Sequence, residues 1–439
     1  MEQRDRIGAL VGCTPMSRSD WTRRRPGRLA CVCLVVLLLG LPAAEAMAAE
    51  QYEQPTERQA AEVLPPEMVA GPNHRVQDPV VAYGYMDRFT VASQFGSFEV
   101  VGHGALRKLL NELHAIAALR EIKTSKAFAD AVLAAASGPF RFAKNLITNP
   151  VDTLTGIPKG AYKFMEETAA GVTAERDPSE DPAYMQVLEV SERKRAFAFQ
   201  FGVDVYSSNT VLQKELNSVA WAAAVGNLSV SAALLPVGGN AGVVLSGMRW
   251  GRALNDQLKD EPAIRLRIIN QKKLLDMGIP PDLATRFLDH PAFTPRHDTI
   301  LVESLARLGS ARGREKFLEV ALEAGDEVDA NFFTNVAQII RGYHETVAPI
   351  TAMQMVGRLV VAQAGNGAAL VPLPIDHCVW TKAAERRIQE LKAAYQAPGS
   401  NTRFDIWLTG TVSPLVRQQL AERGMTVTEE VYKRVEIID

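Results

Sequence analysis

Alternation and helical periodicity divide the chain before any motif is considered. Arg88 to Gln94 and Ser97 to Val101 alternate apolar and polar positions around Phe95-Gly96, which predicts a β-hairpin. Leu106, Leu109, Leu110, Leu113, Ile116 and Ala117 then recur at helical spacing, so a helix follows directly. Two shorter helices are expected over 125–136 and 139–147, and another ends near Ala170 after the breaks at Asn149-Pro150 and Gly156-Ile157-Pro158. From the acidic loop Glu175 to Pro182 the pattern stays helical as far as Val347. Its boundaries are legible: Thr294 caps a helix with Pro295 behind it, Gly309 ends that helix, and Gly325-Asp326 precedes a long one.

Beyond Pro349 the period changes. Leu359 to Gln363 and Ala368 to Pro372 flank Gly365-Asn366-Gly367, and Asn-Gly between apolar runs is a strong hairpin signal. A helix over 382–395, a strand over 403–409, a helix over 414–423 and a strand over 427–435 complete the chain. Strand, helix and strand in so short a span make a βαβ unit, whose strands must be parallel. The fold class expected is α+β and predominantly helical: an N-terminal hairpin with helices (83–174), a central helical bundle (175–348) and a small C-terminal α/β domain (349–439). No self-similarity at a fixed period supports a solenoid.

The chain before Tyr83 reads differently. Leu29 to Leu41 is a short, unbroken apolar run behind Arg23, Arg24, Arg25 and Arg28, and Ala44-Glu45-Ala46 and Ala46-Met47-Ala48 follow it. A run that short, with those flanks, reads as a secretory signal peptide (1–48), with Met16 as an alternative start. Pro26 and Gly27 follow the arginines where a twin-arginine signal requires other residues, so the general secretory route is expected, ending in the periplasm or outside the cell. Residues 49–82, rich in Gln, Glu and Pro, read as a disordered tether.

Removing the leader leaves 41 basic residues against 46 acidic ones, a net charge of −5. That balance does not suit a nucleic-acid partner. Cys13, Cys31 and Cys33 depart with the leader, so Cys378 stands alone and no intramolecular disulfide is available.

Leu216 to Met248 holds no charged residue at all. Its first arm, to Leu235, has the length to cross a bilayer, and Pro236 to Asn240 could turn the chain back. Asn217, Asn227 and several serines favour a buried core helix instead. Gly238, Gly242 and Ser246, at every fourth position, suit close helix packing in either setting.

Among candidate chemistry, Gly102-His103-Gly104 lies between a strand and a helix, but Arg107 stands where a dinucleotide fingerprint needs its third glycine, and no cofactor is expected. Thr411 and Ser413 lie where a strand feeds a helix, a position that can bind an anion; the plainer reading is that Ser413 caps its own helix. Cys378 is the one candidate nucleophile. His377 beside it points the other way in an extended segment, so His344 or His297 would have to be delivered as base. His290 and His297, in DHPAFTPRHD, match no zinc spacing, and no metal site is expected. Together these readings favour an exported, non-catalytic protein that binds or scaffolds in the cell envelope, with an envelope protein or membrane surface as partner. The alternatives are membrane insertion through 216–248 and a hydrolase or transferase using Cys378.

Overall fold

The computed structural model describes residues 52–137, 182–226, 228–229, 249–395 and 402–438. The leader, the helix expected over 139–147, the acidic loop and most of the uncharged segment lie outside them. The fold is α+β and mainly helical, as the periodicity requires, with 14 helices among the described residues.

Residues 52–82 are built into the fold, where their composition suggested a tether. They form α1 (Ala60–Val63), α2 (Pro66–Val69), β1 (Ala70–Gly71) and β2 (His74–Tyr83). The prolines and polar residues mask only a few inward positions: Val76, Val80 and Tyr83 are buried, and Arg58 pairs with Val80 through both backbone hydrogen bonds. β2 pairs antiparallel with β3 (Met86–Ser93), and β3 with β4 (Gly96–Val101), completing a four-stranded sheet in chain order. In β3 the buried side chains alternate as Asp87, Phe89 and Val91.

The sheet packs against α3 (His103–Thr124), which buries Leu106, Leu109, Leu113, Ile116 and Leu119 along one face. α4 (Lys126–Ser137), α5 (Pro182–Gln200) and α6 (Thr210–Val225) join the same core. Asn209 caps α6 by accepting from the N–H of Val211 and of Leu212. The first part of the uncharged segment is therefore helical core: Leu216, Val219, Ala222 and Ala223 are buried there, and Asn217 with them. Among the described residues no helix is long and apolar enough to cross a membrane.

A second core holds most of the remaining helices and the C-terminal sheet, while Leu254 and Leu258 form a small separate cluster with Leu266 and Ile300. The helices α7 (Arg249–Asp260), α8 (Ala263–Asp276), α9 (Pro281–Leu288), α10 (Pro295–Ala306) and α11 (Arg314–Ala321) lead to α12 (Glu327–Thr346), which is buried nearly all round. A helix buried on every side needs neighbours on every side. α10 covers part of α12, and the sheet covers another part: Tyr343 donates its hydroxyl to Asp405 Oδ2 at 2.7 Å and meets the Trp407 ring edge-on at 4.9 Å. The cores thus divide the chain differently from the sequence boundaries, since α5 and α6 belong with the N-terminal sheet and α9 to α12 with the C-terminal one.

That sheet has five strands in the order β11-β9-β7-β6-β5: β5 (Ile350–Val356), β6 (Leu359–Ala364), β7 (Ala368–Leu373), β9 (Arg403–Leu408) and β11 (Met425–Thr428). β5, β6 and β7 are antiparallel, whereas β7, β9 and β11 run parallel. The parallel pairs are spanned by α13 (Lys382–Ala394) and α14 (Pro414–Glu422), so two βαβ units overlap in one domain. Strand β5 carries no clear alternation in sequence. The last strand is shorter than expected because Glu430, with φ of 51°, turns the chain into a 3-10 turn over Val431–Lys433.

Candidate functional site

The three candidate residues from the sequence meet at one place. β8 (His377–Cys378) pairs in parallel with β10 (Thr411–Val412), setting Thr411 beside His377 and Val412 beside Cys378. His377 Nδ1 lies 2.8 Å from Thr411 Oγ1, and the Ser413 N–H donates to the Cys378 carbonyl at 2.9 Å. Ser413 caps α14 by accepting from the Val416 N–H at 3.1 Å. Its hydroxyl also donates to Glu53 Oε2 at 2.6 Å, an oxygen that accepts from the Trp380 N–H at 2.6 Å as well. The anion at this helix start is thus the protein's own carboxylate, and the two ends of the described chain pack together.

Cys378 is partly buried, packed against the C-terminal core at the edge of an apolar cavity of about 70 Å3 that Tyr85 and Trp380 also line. The imidazoles named as candidate bases are committed elsewhere. His344 Nδ1 accepts from the Ile350 N–H, and His297 closes a capping box with Thr294. With no base delivered by either, we expect the native thiol to react with a disulfide reagent at least about tenfold more slowly than the denatured one. Equal rates would return Cys378 to the list of nucleophiles.

Next to this pairing, two acids and a histidine join the cores. Gly102, with φ of +98°, ends β4 and starts α3, so the Gly-His-Gly element is a turn into a helix. The anion at that helix start is Asp376: its Oδ1 accepts from the His103 N–H at 3.1 Å and its Oδ2 from the Asp87 N–H at 2.8 Å. Asp87 Oδ2 lies 3.1 Å from His103 Nε2, and its Oδ1 pairs with Arg58. One donor atom from each of Asp87, His103 and Asp376 falls within 4.8 Å of the others, a spacing that could suit a cation. A cation would have to displace Arg58 and two N–H donors, so the arrangement acts as a clamp between the two cores.

Electrostatics supports the clamp. Burial pushes Asp87 up, but the His103 hydrogen bond and the Arg58 charge outweigh it and hold the carboxyl below its ordinary range. Burial pushes His103 down, and the Asp87 hydrogen bond with the charges of Asp376 and Asp87 raises it overall, against Arg107. Asp376 is pushed up by burial, which the His103 charge and the two N–H donors only partly offset. A histidine raised in the folded state contributes stability that is complete below its unfolded pKa of about 6.5 and vanishes as pH rises through the folded value. The cost of His103→Asn, measured by urea unfolding, is therefore expected to be larger at pH 5.5 than at pH 8.5. A cost independent of pH would contradict a charged clamp.

A larger feature gave no sequence motif. A cavity of about 470 Å3 is walled by α3, by α5 with the loop after it, by α7 and by the C-terminal residues 436–438. On α3, Lys108 Nζ reaches Asp204 Oδ2 at 3.3 Å and Glu327 Oε1 at 3.1 Å. Glu112 accepts from the Ser207 hydroxyl at 2.6 Å and the Asn209 amide at 3.0 Å. Burial raises Glu112 despite those donors. Burial pushes Asp204 up as well, but there the Lys108 and Arg296 charges win and keep the carboxyl below its ordinary range. His297, deep behind this wall, is lowered by burial and by the Lys108 charge, and accepts at Nδ1 from the Thr294 N–H while Nε2 faces Asn331 Oδ1. The histidine loop thus serves local structure: His297 completes the cap of α10, and His290 Nδ1 accepts from the Ala292 N–H within the turn.

One signal for this cavity stood in the sequence: Glu112 falls on the apolar face of α3, between Leu109 and Ile116 at helical spacing. Nothing in the charge run Glu192 to Arg195 marks Arg195 as buried. Comparison with known proteins finds no family model that matches the chain, no similar curated protein and no similar solved structure.

Proposed function

We propose that the chain is an exported binding protein of the cell envelope, and that the cavity between α3, α5 and α7 is its ligand site. The observation that carries the reading is the cavity itself. Its volume of about 470 Å3 falls within the ~300–1,000 Å3 of small-molecule sites, and apolar side chains (Phe199, Val203, Leu258) share its wall with fixed charges. The leader-like segment supports export. The hydrogen-bonded network of Lys108, Glu112 and Asp204 supports a preformed site, because its side chains are already held in place.

The test is expression of the full chain in a Gram-negative host, release of the periplasm by osmotic shock, and native mass spectrometry of the product. The expected result is a processed protein carrying a small molecule that is lost on denaturation and absent from an Asn255→Trp variant, whose indole would fill the cavity from α7. A processed protein that stays with the membrane through alkaline extraction would favour insertion through 216–248 instead.

A further inference from the structure

We infer that the cavity binds an organic anion, a carboxylate or phosphate monoester on an apolar body, through the guanidinium of Arg195. This rests on the cavity being a ligand site and adds the class of ligand. The charges around it are compensated unequally. Asp204 accepts from the Tyr206 N–H at 2.9 Å and pairs with Lys108, Lys108 is shared with Glu327, and Glu112 is held by Ser207 and Asn209. The acids on that wall are thus answered from within the protein.

Arg195 is not. Its side chain lines the cavity from α5 and the residue is 8% exposed. Nε donates to the Lys259 carbonyl at 2.9 Å and Nη1 to the Ser191 hydroxyl at 3.0 Å, both neutral acceptors. Among the described residues no carboxylate pairs with it. A guanidinium cannot shed its proton, and a charge so far removed from water calls for a counter-ion. Nε and Nη1 are used, which leaves Nη2 as the free end of the fork for an oxyanion. Lys259, paired with Asp260 Oδ1 at 3.7 Å, and Arg296 bring further positive charge to the lining and Glu436 a negative one, and the Lys259 ammonium lies 4.9 Å from the Phe199 ring. Phe199, Val203, Leu258 and Ile438 provide apolar surface for the rest of the molecule.

Isothermal titration of the purified full-length mature protein with octanoate, octyl phosphate, octanamide and octylamine tests this. The two anions should bind, and the neutral amide and the amine at least about tenfold more weakly. Whichever anion is tighter identifies the headgroup as carboxylate or phosphate ester. Arg195→Gln should weaken anion binding at least about tenfold while leaving the unfolding midpoint unchanged or higher, since it removes an uncompensated buried charge. Asn255→Trp, which leaves Arg195 in place, should abolish binding by occlusion. If octanamide or octylamine binds as tightly as the anions, or a neutral or cationic molecule co-purifies, the anion assignment falls and the cavity remains a ligand site. If no probe binds and nothing co-purifies, both fall.

Discussion

Replacing Asp87 by Ala should destabilise the protein by about 3 kcal/mol, the lower end of the range for breaking a buried ion pair. The carboxylate is almost fully buried and answers Arg58 on Oδ1 and, when the ring is protonated, the His103 imidazolium on Oδ2. Without it, both lose their acceptor. Their side chains are 25% and 31% exposed, so water relieves part of the penalty, which is why the lower end applies. The clamp joins segments far apart in sequence, and the effect should therefore appear as a lower urea midpoint for the whole molecule rather than as local fraying. Arg58→Ala should cost less in the Asp87→Ala background than in the wild type, because the two substitutions share one interaction. A loss below about 1 kcal/mol, or strictly additive losses, would show that the pair is incidental.

Much of this was legible in the sequence, and the unread part has a common cause. Alternation through Arg88 to Gln94 placed β3, and leucine spacing placed α3, because both elements bury one face against a single neighbour. The same patterns also marked the polar residues that matter. Asp87 stands in phase with the buried Phe89 and Val91, and Glu112 stands in the apolar stripe of α3, each a charge on a face that should hold none. Such residues show where a buried network lies but not its partners. Arg58 reaches Asp87 from a segment whose composition resembled a linker, and Asp376 reaches α3 from 273 residues away. Thr411 and Ser413 suggest an anion site in sequence and Cys378 a nucleophile, and the structure unites them through a two-residue parallel pairing too short to leave a pattern. Glu53 then provides the carboxylate at Ser413. Local periodicity reports burial along one element, whereas pairing across the chain depends on topology that single residues do not encode.

Gly410→Ala is expected to cost more than about 3 kcal/mol, beyond an ordinary overpacked side chain, because the obstruction is backbone. A Cβ at residue 410 would fall 1.9 Å from the Asp376 carbonyl oxygen and 2.6 Å from its Cα, and no side-chain rotation can relieve that contact. In sequence, Thr411 and Ser413 offer a position that can bind an anion, with Ser413 more plainly a helix cap; in the fold, Gly410 is small so that this loop can lie against Asp376. The Thr411 N–H donates to the Asp376 carbonyl at 3.0 Å, and the Glu430 N–H to the Gly410 carbonyl at 3.0 Å. Added bulk must push the loop away from both. The displacement reaches the clamp, since the same Asp376 holds the N–H groups of Asp87 and His103 with its side chain. Amide exchange at Asp87 and His103 should therefore accelerate in Gly410→Ala. Gly365→Ala is the control: its Cβ would meet the Pro349 carbonyl oxygen at 3.5 Å, an ordinary contact, and should change little. If Gly410→Ala destabilises the C-terminal domain while exchange at those two amides stays at the wild-type rate, the loop and the clamp are independent, and the two cores are held together by apolar packing rather than by Asp376.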